Sequence, residues 1–188
     1  MRNLYLILVL TLSLATAQAA PANLPETGQI SCSSATGVPI GCTNTGQDGD
    51  RKAGVAWPSP RFVVGTGATA GCVTDNLTGL MWMGAPDKLL YTWTNALTSV
   101  NSLTLCGFSD WRLPNINELK SLVNNEAVNQ DTFLNTQGFS GVQSYYYWSS
   151  STYVANTTIA WVIYMGDGVL VANDKSLSHY VWPVRAGR

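Results

Sequence analysis

The stretch "GFSDWRLPNINELKSLV", Gly107–Val123, sets the frame for the rest of the chain. Asn115 is placed to cap a helix, and Glu118 three residues on can return the exchange as a capping box. Pro114 holds the preceding chain extended. Leu119, Leu122 and Val123 then recur at the spacing of one buried stripe. Asp110 and Arg112 are left over, and they can pair with each other, with Glu118 or with Arg185. Isolated charges beside capping signals usually organise loops, so this stretch reads as scaffold and the functional surface must lie elsewhere.

Working outward from it, "YTWTNALTSVNSL" upstream places Trp93, Ala96, Leu97 and Val100 at helical spacing behind Thr92 as N-cap. "CVTDNLTGLMWM" reads as two short strands around a turn at Asp75-Asn76, with Leu80 and Trp82 on one face of the second. "VAWPSPRFVV" carries two prolines and suits an extended edge or linker. Downstream, residues 128–141 read as a loop. "IAWVIYM" and "VLVAN" flank Gly166-Asp167-Gly168, a hairpin signal. Strict alternation would put Trp161, Ile163, Met165, Leu170 and Ala172 on one face and Val162, Tyr164, Val169, Val171 and Asn173 on an outward one. "YVWPVRAG" reads as a closing strand, with Pro183 marking an edge or a bulge.

The first nineteen residues, "MRNLYLILVLTLSLATAQA", put Arg2 before an apolar run and end in Ala17-Gln18-Ala19, the pattern of a cleaved secretory signal peptide. The expected organisation is therefore a signal peptide at 1–19, a loop-rich N-terminal segment at 20–69 and a main domain at 70–188. No cysteine follows the cleavage site, which argues against a lipid anchor. Charged residues make up 11% of the chain and the formal net charge is −1, while 46% of residues are hydrophobic. That balance excludes a disordered tail and offers no basic footprint for nucleic acid. Cys32, Cys42, Cys72 and Cys106 are an even set in an exported chain, and three connectivities are open. Sequential neighbours are the expectation, Cys32 with Cys42 and Cys72 with Cys106, each contributing about 3 kcal/mol.

Several of these blocks together resemble one family. "TDNLTGLMW", "GFSDWRLPNINELKSLV", "YYYWSSSTY", "AWVIYMGDG" and "YVWPVRAG" occur in the order and approximate spacing of the Legionella collagen-like protein (Lcl) C-terminal domain family. The resemblance implies an α+β fold, a C-type-lectin-like compact domain related to the formylglycine-generating-enzyme-like folds and exported by bacteria. Read onto this chain, it gives two short helices and antiparallel hairpins stapled by two disulfides. It also implies adhesin-like binding of an extracellular ligand, since the founding member resembles a trimeric adhesin for sulfated glycans. This chain carries no collagen-like Gly-x-y repeat.

Catalytic signals are weak. His179 is the sole histidine, no Gly-x-Ser-x-Gly stretch is present, and no cysteine follows Cys106 to support the chemistry of the formylglycine-generating relatives. The glycine-rich "GVPIGCTNTGQDGD" lacks a P-loop ending. Asp48, Asp50, Asp167, Asn173 and Asp174 offer oxygen ligands but no calcium-loop spacing, so neither a metal nor another cofactor is expected. What remains is a C-terminal region dense in Tyr, Ser, Thr and Asn, the composition of recognition surfaces. Trp148, Trp161 and Trp182 are expected in the core. Tyr153, Asn156, Tyr164, Asn173, Lys175, His179 and Tyr180 are the candidate ligand-binding set. The expected function is binding of a carbohydrate or glycosylated surface without catalysis, with no nucleic-acid partner and no membrane insertion. The alternative is an assembly component that docks a protein partner or a second copy through the aliphatic hairpin face.

Overall fold

The computed structural model describes residues 24–187, so the signal peptide expected over 1–19 lies outside the described residues. In chain order the elements are β1 (Cys32–Ser33), β2 (Pro39–Ile40), α1 (Asp48–Arg51), β3 (Phe62–Val64), a 3-10 turn (Gly67–Thr69), β4 (Cys72–Asp75), β5 (Leu80–Met83), β6 (Asp87–Tyr91), α2 (Trp93–Asn101), α3 (Ile116–Lys120), α4 (Gln130–Thr136), β7 (Tyr146–Thr152), β8 (Ile159–Tyr164), β9 (Val169–Asp174), β10 (His179–Val181) and β11 (Val184–Ala186). They form a two-stranded sheet, a four-stranded sheet of order β11-β5-β4-β3 and a five-stranded sheet of order β6-β10-β7-β8-β9. Pairing is antiparallel except between β10 and β7. The fold is thus mixed helix and sheet, with four helices where the sequence pattern showed two.

The capping box forms as the spacing dictates. Asn115 Oδ1 accepts the Glu118 amide at 2.9 Å, and Glu118 Oε2 accepts the Asn115 amide at 2.8 Å. Arg112 completes the lead-in with a bidentate pair to Glu118 at 2.7 and 2.6 Å. Burial opposes ionisation of Glu118, but Arg112 and the Asn115 amide outweigh it and hold the carboxyl below its ordinary range. Arg185 takes Asp110 at 2.7 and 3.1 Å and lies 3.7 Å over the Phe108 ring. The backbone of Arg112 exchanges both hydrogen bonds with Val184, so the charged lead-in clasps the C-terminal strand. Leu119 and Leu122 are fully buried behind it.

Two cores result. In the first, Phe62, Val73 and Trp82 of the four-stranded sheet meet Leu119, Leu122, Leu134, Met165 and the Tyr147 and Ile163 side chains of the five-stranded sheet. In the second, Ala96 and Val100 of α2 meet Trp111, Leu113, Trp148, Ala160, Val162 and Val181. Both faces of β7–β8 are therefore covered. This corrects the outward placement of Val162: it is fully buried, because α2 packs over the face that alternation alone would leave to solvent. Val171 is half-buried and Val169 exposed, so the face opens only toward the hairpin tip.

Three further expectations change. Residues 128–141 are not all loop, because α4 lies within them and buries Gln130 and Leu134. The strand at "YVWPVRAG" is two strands in two different sheets. Pro183 marks the break, and its carbonyl accepts from Met83 while the Trp182 indole donates to the Met83 carbonyl. Thr92 does precede α2, but its side chain makes no cap bond. The disulfides are Cys32–Cys42 and Cys72–Cys106, as expected.

The N-terminal segment is tied down by one buried ion pair. Arg61 binds both carboxylate oxygens of Asp75 at 3.1 and 3.0 Å and donates to the Ser121 carbonyl at 2.5 Å. Its guanidinium also stacks on Trp57 and Phe62. Removing one member of such a pair strands a charge in the core. Asp75→Ala is expected to cost about 3–5 kcal/mol in urea unfolding. The paired change Arg61→Met with Asp75→Leu should cost distinctly less, because it strands no charge.

Candidate functional site

Tyr145, Tyr146, Tyr164 and Tyr180 gather at one end of the five-stranded sheet. Alternation along β7 sends Tyr146 and Trp148 to one face and Tyr147 to the other. Tyr147 is fully buried, its hydroxyl accepts the Gln143 amide at 2.8 Å, and burial pushes its phenol well above the ordinary range. Tyr146 pairs across the ladder with Tyr164, their ring centroids 5.0 Å apart. Tyr145, just before the strand, reaches Tyr146, His179 and Tyr180 at 5.4, 5.9 and 5.7 Å. Tyr145 is exposed, while Tyr146, Tyr164 and Tyr180 are half-buried. The Tyr164 hydroxyl lies 3.4 Å from Ser144 Oγ. Those of Tyr145, Tyr146 and Tyr180 make no hydrogen bond among the described residues, so they are available to water or a ligand.

His179 lies beneath Tyr145 and Tyr146, whereas Tyr180, next to it on β10, turns to the opposite face and packs against Tyr147 at 5.4 Å. His179 is buried, its ring centroid 4.5 Å from Trp148 and 5.3 Å from Tyr146. Its Nε2 lies 3.0 Å from Asn173 Nδ2, and its Nδ1 has no partner. Two strands separate β9 from β10 in the sheet, yet side chains from both meet in this bond, so the sheet is concave on this face. Burial disfavours the imidazolium and lowers the His179 pKa to about 4.

The candidate set divides. Tyr164 lies beside Tyr146 above His179 and Asn173, and Tyr180, on the opposite face of the sheet, joins the cluster through Tyr145 at its end. His179 was expected to face a ligand, and it lies covered beneath Tyr146. Tyr153, Asn156 and Lys175 are gathered at the other end of β7–β8. Tyr153 packs edge-on against Trp161 at 5.2 Å, and Asn156 Oδ1 accepts from the amide and hydroxyl of Thr158. Lys175 Nζ donates to Thr152 Oγ1 and the Thr157 carbonyl and sits 4.0 Å over Trp93. Its charge is spent on closing the turn. Tyr145 and Tyr146 take their place in the patch, and the register of Tyr146 with Tyr164 is what the composition could not show.

The acidic side chains serve local geometry. Asp167 accepts the Val169 amide, Asp174 the Ser176 amide, Asp50 the Gly46 amide, and Asp48 the Thr27 hydroxyl. Among the described residues, no group of three His, Cys, Asp or Glu side chains could hold a metal ion. A groove of about 430 Å³ opens elsewhere, between residues 24–27 and α3, where Asn117, Lys120 and Val123 line it. None of the candidate residues borders it.

Residues 71–185 match the model of the Lcl C-terminal domain. The chain belongs to that family. No curated protein matches it. The tyrosine patch lies within the span that defines the Lcl C-terminal domain, whereas one wall of the groove, residues 24–27, lies before it. Among the described residues of this Lcl C-terminal domain, no helix is long and apolar enough to cross a membrane.

The buried imidazole makes the support of the patch acid-sensitive. Above pH 6.5 His179 is neutral whether the chain is folded or not, and its contribution is intact. Between 6.5 and about 4 the unfolded chain binds a proton that the folded one refuses, so stability falls as pH falls and levels off below about 4. Urea midpoints measured from pH 7 to pH 4 are expected to drop in the wild type and to drop less in His179→Gln.

Proposed function

We propose that this Lcl C-terminal domain is an exported bacterial recognition module that binds carbohydrate through the patch of Tyr145, Tyr146, Tyr164 and Tyr180, without chemical turnover. The observation that carries the reading is the combination of clustered rings with three phenol hydroxyls that make no hydrogen bond among the described residues. A pyranose presents apolar C–H faces that pack on aromatic rings, and hydroxyls that exchange hydrogen bonds with phenols. Tyrosine supplies such contacts at low conformational cost. His179, packed on Trp148, backs Tyr145 and Tyr146 before any ligand arrives, which lowers the entropy lost on binding.

A non-catalytic role is supported by the surroundings of the one imidazole, which contacts an amide rather than a hydroxyl, thiol or carboxylate. All four cysteines are in disulfides, which suit an oxidising compartment and therefore export. The C-type-lectin-like reading of the architecture belongs to this proposal too. It is supported by the mixed helix and sheet layout with two disulfide staples and by the sequence blocks quoted above.

A glycan array probed with the oxidised mature protein tests the reading. Retained glycans should lose about tenfold or more in affinity on Tyr146→Ala or Tyr164→Ala, as expected when a central aromatic contact is removed. Tyr153→Ala, at the other end of the hairpin, should leave binding unchanged. Equal losses in all three variants would place the site elsewhere.

A further inference from the structure

The turn between β8 and β9 is held from outside as well as from within. Met165 donates its amide to the Tyr145 carbonyl at 2.9 Å and accepts the Asp131 amide at 2.8 Å, while the Gly166 carbonyl accepts the Gln130 amide at 3.1 Å. Gly168 closes the turn by donating to the Tyr164 carbonyl at 2.8 Å. The start of α4 therefore anchors residues 165 and 166. Behind it, the buried Gln130 side chain bonds the Asn124 amide and the carbonyls of Asn124 and Ala127, so the anchor is itself tied to the preceding loop.

Gly166 is buried in this turn. Unlike Gly168, it does not occupy the left-handed region, so backbone freedom is not what calls for glycine there. The surroundings of its Cα do. A Cβ added at Gly166 would stand 2.8 Å from Tyr164 Cζ and from Ser144 Oγ, and closer still to Tyr164 Cε1. The Tyr164 ring thus lies in the space that any other residue at 166 would fill, with its hydroxyl 3.4 Å from Ser144 Oγ. All three atoms belong to side chains that can swing away, so the conflict displaces the ring rather than the backbone.

We propose that Gly166 is a positioning residue of the tyrosine patch: the open space over its Cα seats the Tyr164 ring, and α4 fixes the seat. This rests on the reading of the patch as the binding surface. Seated in this way, Tyr164 stands 5.0 Å from Tyr146 before a ligand arrives, and the ordering of its ring adds little to the entropy lost on binding. Its hydroxyl is turned to Ser144, so Tyr164 offers a ligand its ring, whereas Tyr145, Tyr146 and Tyr180 offer hydroxyls as well. The same seat excludes every larger residue from position 166 without straining the backbone.

Gly166→Ala tests this in two ways. Ring-to-ring nuclear Overhauser contacts between Tyr146 and Tyr164, read on the oxidised mature protein without ligand, should be present in the wild type and lost in Gly166→Ala, with the Tyr147 signals unchanged. For a glycan retained on the array, Gly166→Ala should lose about tenfold in affinity, as Tyr164→Ala does, whereas Tyr164→Phe should stay within about twofold of the wild type. On the Tyr164→Ala background, adding Gly166→Ala should change nothing, because two residues that act through one contact are not additive. If Gly166→Ala alone fails to fold, that double variant should still fold, with the urea midpoint of Tyr164→Ala. Persisting ring contacts in Gly166→Ala would overturn the proposal, as would a double variant weaker in binding or stability than Tyr164→Ala. A wild type that binds no glycan would defeat the patch reading, and the ring contacts would still decide the seat.

Discussion

Strand β7 can expose neither of its faces. Tyr147 and Trp148 are adjacent in sequence, point to opposite sides of the sheet and are both fully buried. One side must therefore be covered by the four-stranded sheet with α3 and α4, and the other by α2. Burying two such rings is worth several kilocalories per mole, at roughly 25 cal/mol per Å² of apolar surface. The indole nitrogen of Trp148 also needs a partner, and finds it in the Tyr91 carbonyl at 2.8 Å. Covering both faces leaves the sheet only its ends and edges in contact with solvent. The tyrosine patch occupies one such end, and the open side of β9 is one such edge.

The scarcity of charge has a structural counterpart. Arg61, Arg112 and Arg185 each take a carboxylate in two-point geometry, and each pair joins segments distant in the fold or closes a helix start. Lys175 closes the β7–β8 turn. These cations hold chain to chain, so a ligand meeting the patch encounters rings and phenols. That is a surface suited to polar, uncharged groups with apolar faces, and it accords with a site that is rigid beneath and sparsely bonded above.

The parts of the fold that were legible in the sequence are those set by short-range rules. The capping box at Asn115 and Glu118 acts over three residues. The β8–β9 hairpin turns at Gly168, whose φ of +81° favours glycine. Sequential cysteines close modest loops. Helix α4 escaped notice because its seven residues carry only two apolar side chains in a row, Phe133 and Leu134, and its buried polar residue is Gln130. Gln130 earns that position by bonding the Asn124 amide and the carbonyls of Asn124 and Ala127, which no local pattern announces. Strand β6 pairs with β10, almost ninety residues away, and exposes Leu89 and Leu90, so it shows no alternation. Val162 looked outward because α2, which buries it, lies far off in sequence. The site was legible by composition alone. Tyrosines were signalled, but whether each was platform, patch or turn depended on register: Tyr147 is core, Tyr146 faces Tyr164, and Tyr153 braces Trp161.

The central claim is that recognition takes place on the end of the sheet where these rings gather. Its most direct test is tyrosine-ring NMR on the oxidised mature protein during titration with a neutral oligosaccharide pool. The account expects shifts concentrated at Tyr145, Tyr146, Tyr164 and Tyr180, with Tyr147 and Tyr153 unmoved. Shifts absent from those rings and found instead around Asn117 and Lys120, beside the groove of the N-terminal segment, would contradict it.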